Sequence, residues 1–304
     1  MRNHLVSVFL AVMVAGCGSS GGGSTPDAQV VEAAVNQQEA AAVPSPYCTA
    51  NPALASVTDL SGTWVARVVG SQHVSAIGTN LYPKSVFYIL TTISQSGTAV
   101  IADGRYCDRT EIDPPGTLVP VIIPDKWAHT EKPLYRTGTF GPGSDGVPVL
   151  NFRDKTEVAG AVLASPDTDP LPTKPSDLTV IDEDGDGHPG ITINLSGIAP
   201  GSLYSVQKQT TSIIAVPVTA DRFEGVLTFT SSQVVLDSNP TTLAGLYAQS
   251  KTMPDLTACS STFAMVRVGG VPGTDSGAVD GGDVDGGGAL GCAWVRANEA
   301  LLFP

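Results

Sequence analysis

Asp182, Asp184 and Asp186 alternate along Asp182-Glu183-Asp184-Gly185-Asp186-Gly187-His188-Pro189-Gly190, and this spacing defines a chemistry. Alternate aspartates in a tight loop turn three carboxylates toward one point, and the interleaved glycines permit the positive φ values that such wrapping needs. Three carboxylates at one point repel one another unless a cation lies between them. Calcium, with its flexible oxygen coordination, fits this donor set better than magnesium, which prefers octahedral sites that keep several waters. A solvated acidic turn between two strands is the competing reading.

The segment resembles the first half of the D-x-D-x-D-G calcium loop of EF-hands, dockerins and thrombospondin-type repeats. The resemblance implies side-chain ligation by Asp182, Asp184 and Asp186, a turn at Gly187 and a backbone-carbonyl ligand from His188. Loop position nine is Gly190 and position twelve is Ile193, where an EF-hand places a bidentate glutamate. The loop is therefore not an EF-hand. In a hairpin version Glu183 or another loop supplies the remaining oxygens, with Kd weakened toward the ~10⁻⁴ to 10⁻³ M of extracellular modules. Calcium there is expected to be structural.

Cys17 is the second residue with a chemistry. Arg2 and His4 precede an apolar run from Leu5 to Ala15, the length of a signal-peptide core and too short to span a bilayer permanently. The run ends in Val14-Ala15-Gly16-Cys17, which resembles the bacterial lipobox. That resemblance implies acylation of Cys17, removal of residues 1–16 and anchorage to a membrane, each buried CH₂ contributing roughly 0.8 kcal/mol. The expected location is the bacterial cell envelope, at the outer membrane or cell surface rather than the inner membrane. Residues 17–46 read as a flexible tether, since Gly18 to Thr25 is almost entirely Gly and Ser and the stretch ends in Pro44-Ser45-Pro46.

Cys48, Cys107, Cys259 and Cys292 complete the cysteines, an even number in an exported chain and hence two expected disulfides. Three connectivities are open. Pairing Cys48 with Cys107 and Cys259 with Cys292 keeps each bridge within one half of the chain and closes the shorter loops. No C-x-x-C spacing favours zinc instead.

The formal charge is −13, and removal of residues 1–16, which carry Arg2 and no acid, makes it −14. A surface this acidic disfavours nucleic acid and anionic headgroups and favours cations.

The elements that must position these residues are strands. Past residue 57, short β-branched and aromatic runs alternate with Gly, Pro, Asn and Asp. Strands are expected at Gly62–Val69, Ser85–Ile93, Thr98–Ala102, Leu118–Ile123, Tyr135–Phe140, Val147–Phe152, Glu157–Ala164 and Leu178–Ile181. Further strands are expected at Ile191–Leu195, Tyr204–Gln209, Ile213–Val218, Arg222–Thr230, Gln233–Leu236, Thr262–Val268 and Cys292–Ala297. Helix is confined at most to Pro240–Gln249, where Ser238-Asn239-Pro240 could start it, and to the linker that precedes the domain. The fold class is all-β, an antiparallel barrel or a sandwich over 47–304. Proline-rich 166–176 is either a surface loop or a subdomain boundary. The tract 269–291, with Asp275, Asp280, Asp283 and Asp285, reads as a disordered acidic loop; a second cation site there lacks a nine-residue period.

Asp59-Leu60-Ser61-Gly62-Thr63-Trp64 resembles the G-x-W start of lipocalins, in which a Trp plugs one end of an eight-stranded barrel. That resemblance implies that Phe223-Glu224-Gly225-Val226-Leu227 belongs to a late hairpin, that Arg267 covers Trp64, and that the interior holds a small apolar ligand. No H-E-x-x-H, G-x-S-x-G or G-x-x-x-x-G-K-[ST] is present. The expectation is a binding or structural module, partnered by a small apolar ligand or an envelope protein. An envelope hydrolase whose residues meet only in the fold is the alternative.

Overall fold

Residue 48 and residues 57–76, 79–143, 146–247, 251–268 and 290–304 are described by the computed structural model. Cys17, the expected leader and tether, and most of the acidic tract lie outside them. The strands are β1 (Gly62–Ala76), β2 (Thr79–Leu81), β3 (Lys84–Ser96), β4 (Ala99–Ile112), β5 (Val121–Ile122), β6 (Pro133–Pro142), β7 (Pro148–Ala159) and β8 (Ile191–Leu195). They continue with β9 (Gly201–Thr219), β10 (Arg222–Asn239), β11 (Lys251–Pro254) and β12 (Thr262–Arg267). Three short helices join them: α1 (Asp125–Ala128), α2 (Thr242–Tyr247) and α3 (Cys292–Leu302).

Period-two patterning turns one face of each strand inward, as in β6, where Leu134, Arg136, Gly138 and Phe140 are buried between exposed neighbours. Antiparallel pairing runs β1, β3, β4, β6, β7, β9, β10, β12 and back to β1, so that eight strands form a hydrogen-bonded ring. Closure leaves none of these eight as a free edge. The ring is not a regular barrel. β8 and β5 branch from β9, while β2 and β11 pair with the far half of β1. Register breaks fall at Tyr88/Ile89, Phe152/Lys155 and Val235/Asp237.

The interior is layered. At one end Trp64, Phe223, Phe140, Ile93, Leu150 and Met265 form an apolar layer. Trp64 Nε1 donates to Leu60 O at 2.8 Å, Phe223 meets its ring edge-on at 5.7 Å, and the Arg267 guanidinium lies 4.3 Å from its centroid. Arg267 also donates to Asp59 O at 3.0 Å and to Ser61 O, so one cation closes this end by binding both the indole face and the incoming chain. At the other end Trp127 of α1 and Leu243 of α2 pack with Ile191, Ile193 and Leu203 as an apolar cap.

Between the layers the inward positions are polar. Tyr106 Oη donates to Glu157 Oε2 at 2.7 Å; Arg136 pairs with Glu157 at 3.4 Å and donates to Thr211 Oγ1. Arg109 donates to Trp127 O at 3.0 Å and stacks its guanidinium between the Tyr106 and Trp127 rings. Ser85 Oγ donates to Glu111 Oε1 at 2.6 Å, and burial pushes the Glu111 carboxyl up to about 7.

The all-β expectation holds, and the helix within Pro240–Gln249 is α2; helix is not confined there, since α1 and α3 also form. Several other expectations are corrected. Val147–Phe152 with Glu157–Ala164 gives a single strand, β7; Tyr204–Gln209 with Ile213–Val218 is one strand, β9; Arg222–Thr230 with Gln233–Leu236 is one strand, β10. Cross-strand pairs explain the continuity, because the polar gaps are bridged by Thr156–Thr210 at 2.8 Å and Ser212–Thr228 at 2.6 Å. Leu178–Ile181 forms only an isolated bridge between Val180 and Ala161. Cys292–Ala297 is the start of α3, which buries Cys292, Val295 and Leu302 against Val65, Val86, Tyr88 and Leu90 on the outside of the ring.

The expected disulfide connectivity is also corrected. Cys48 bonds to Cys259 and Cys107 to Cys292, with sequence separations of 211 and 185. The meander runs out and back, which places the last elements beside β1 and β4; proximity in the ring overrides proximity in sequence. Closing loops of that length restricts the unfolded chain by roughly 5 kcal/mol per bridge in the chain-entropy picture.

Candidate metal centre

The acidic loop lies on the flank of the ring, anchored by β8 at one side and by the β7 end at the other. Two backbone pairs hold its neck: Gly190 N donates to Ile181 O at 2.9 Å and Glu183 N to Gly190 O at 3.0 Å. Gly190 has φ +89, and a Cβ there would lie 2.2 Å from Ser205 O of β9, so no side chain fits where the loop rejoins the sheet. Gly185, at φ +64, makes the turn between the second and third carboxylates, and Gly187, at φ +92, the turn that follows them.

Asp182, Asp184 and Asp186 each offer a carboxylate oxygen, and these oxygens all lie within 4.8 Å of one another. The cluster can hold a metal ion. Asp182 takes up the loop's own backbone, accepting from Asp186 N at 3.1 Å and Gly187 N at 2.8 Å; these bonds help to hold its carboxyl below the ordinary aspartate value. Asp186 Oδ1 accepts from His188 N at 2.9 Å and its Oδ2 from Thr192 Oγ1. Asp184 is the buried member at 8% exposure. Its Oδ2 accepts from Thr192 N at 2.9 Å, while no hydrogen-bond donor among the described residues reaches its buried Oδ1. Burial first, then Asp186 and Asp182, raise the Asp184 carboxyl. A buried carboxylate with one oxygen lacking a donor, clustered with two further carboxylates, is the electrostatic condition that a hard cation relieves.

The structure brings together the three aspartates expected at this site. His188, expected to offer its backbone carbonyl, stacks its ring on Tyr204 at 4.0 Å and 9°. Glu183 does not complete the donor set. Its carboxylate turns away to Lys132 Nζ, 3.1 Å from each oxygen, and accepts from Gly160 N at 2.7 Å. It serves as a buried clasp between the loop and the β6–β7 side of the ring.

Thr192 was not singled out by the loop pattern, although it lies only six positions beyond Asp186 and contacts two of the three aspartates. Lys126 Nζ donates to Gly185 O at 2.8 Å across 59 positions, a contact with no local sequence signal.

No family model matches the chain. No curated protein matches it, and no solved structure does. The two disulfides nevertheless mark an extracytoplasmic protein, because reducing compartments keep thiols free. No helix among the described residues is long and apolar enough to cross a membrane.

Proposed function

We propose that the protein is an exported, lipid-anchored module of the bacterial cell envelope, serving in binding or structure, with a calcium ion held by Asp182, Asp184 and Asp186. The observation that carries the metal reading is the buried, donor-free Oδ1 of Asp184 beside two more carboxylates. All the side-chain donors are oxygens, which suits a hard cation, and the neighbouring φ-positive glycines leave room for adjustable coordination. Calcium pins the flank loop and carries out no reaction.

Thermal unfolding with and without calcium tests the proposal. For a Kd of ~10⁻⁴ M, about 10 mM calcium is about 100 times Kd and stabilises the fold by about 2.7 kcal/mol. Asp184→Ala and Asp182→Asn both lose that response. Melting of the parent protein that ignores calcium would sink the reading. The anchor has a separate test: Cys17→Ser releases the protein from membranes, and unchanged fractionation overturns lipidation.

A lipocalin-like scaffold is a second reading, supported by the eight-strand ring and by Arg267 against the Trp64 ring. Within the ring, however, the cavity lined by Ile89, Ala102, Arg136 and Phe263 measures about 30 Å³. That is room for about one water, against the ~300 Å³ or more of a small-molecule site. The scaffold is supported further than the carrier, and carriage of an apolar ligand requires the interior to open well beyond that volume. Titration with an apolar fluorescent probe checks this; saturable binding would restore the carrier.

A further inference from the structure

The acidic loop has two faces. Asp182, Asp184 and Asp186 gather their carboxylates on one, whereas Glu183 and the Gly185 carbonyl, which alternate with them along the chain, reach away to the segment 125–132 that carries α1. Lys126 Nζ donates to Gly185 O at 2.8 Å, and Lys132 Nζ lies 3.1 Å from each Glu183 oxygen while also donating to Val158 O of β7. These lysines stand near the two ends of the segment. Among the described residues, no other side-chain hydrogen bond or ion pair ties 125–132 to β7, β8 or the loop between them.

The segment lies over the ring interior as a strap. Its Trp127 is 7% exposed, and the Trp127 ring centroid sits 5.4 Å from the Arg109 guanidinium of β4. Arg109 is buried to the same degree and donates to two strap carbonyls, Trp127 O at 3.0 Å and Thr130 O at 3.5 Å. No carboxylate among the described residues stands within ion-pair distance of it. The strap therefore holds the acceptors of a buried cation on one side and is gripped by the acidic loop on the other. The loop's shape is in turn set by its carboxylates. Mutual repulsion spreads Asp182, Asp184 and Asp186, and a cation between them fixes the same few dihedrals that aim Glu183 and the Gly185 carbonyl at the strap.

We infer that calcium at the aspartate cluster latches this strap: the cation-bound loop holds 125–132 shut over Arg109, and loss of the ion lets the strap open. The inference rests on the calcium reading and gives that site a regulatory consequence. Lys126 and Lys132 act as positioning residues, carrying the state of the loop to the strap without contacting the ion.

Amide hydrogen exchange of the full chain, in EDTA and in about 10 mM calcium chloride, reads the strap directly. Its reporters are Trp127 N, Ala128 N and His129 N, which donate to Pro124 O or Asp125 O. Calcium is expected to slow exchange of these three amides about fivefold or more. In the Lys126→Met, Lys132→Met double variant calcium still binds, as calorimetry records, and the slowing falls below about twofold. A double variant that fails to fold or to take up calcium passes the decision to Lys126→Met alone, at an exposed position, where the slowing should at least halve. Equal slowing in parent and variant overturns the latch, as does a parent strap that ignores calcium while calorimetry records binding; both outcomes leave the calcium site standing. A parent chain that takes up no calcium overturns latch and site together.

Discussion

The two inner layers of the ring differ in how their sequence specifies them. The Trp64 layer is built from aromatic and aliphatic side chains whose contacts are non-directional, so its energy follows the apolar area and volume it fills rather than particular partners. The layer beneath α1 and α2 depends on named partners, such as Arg136 with Glu157 and Thr211, or Ser85 with Glu111. Removing one partner there leaves the other buried without its bond. The first layer supplies stability; the second fixes which strand meets which.

Three substitutions sharpen that contrast. Phe223→Ala in the apolar layer empties space beside Trp64 and Phe140 and should cost about 4 kcal/mol, read by denaturant unfolding, with the loss unchanged between pH 5 and pH 8. A strongly pH-dependent loss would show that the layers are coupled. Glu111→Gln should act in the opposite direction. Between the ordinary carboxyl value of 4.5 and about 7, the folded chain keeps a Glu111 proton that the unfolded chain releases. Stability therefore falls as pH rises through that window and levels off above it. The glutamine variant lacks that slope and at pH 8 gains about 3 kcal/mol on the parent, each pKa unit being worth ~1.4 kcal/mol. Matching pH profiles would remove Glu111 as the source. Arg136→Met should cost the least, about 2 kcal/mol, because its long side chain keeps the packing and Glu157 retains Tyr106 as a donor. Restoration by Glu157→Gln in the double variant would identify the unpaired acid as the cost; strict additivity would not.

The same contrast governs what the sequence made legible. Period-two runs such as Phe87, Ile89, Thr91 and Ile93 declare an inward face, so strand positions and the all-β class were readable. So were Asp182, Asp184 and Asp186, whose convergence depends on a few consecutive dihedrals. Segments such as Thr210 to Ser212 looked like breaks because their partners lie on other strands; Arg136 and Thr211 are 75 positions apart. Glu183 fits the local pattern as a ligand, yet Lys132, 51 positions away, draws it to the opposite side. The disulfide pairing failed for the same reason, since it depends on ring closure rather than on loop length.

The bond from Cys107 to Cys292 ties α3 to β4 independently of the chain that runs from Val268 to Leu290. That stretch is thus covalently redundant: a protease cut anywhere within it would leave α3 attached, and the two pieces would part only on a reducing gel. Length and composition there can drift without releasing the helix that seals the outer face of β1, β3 and β4.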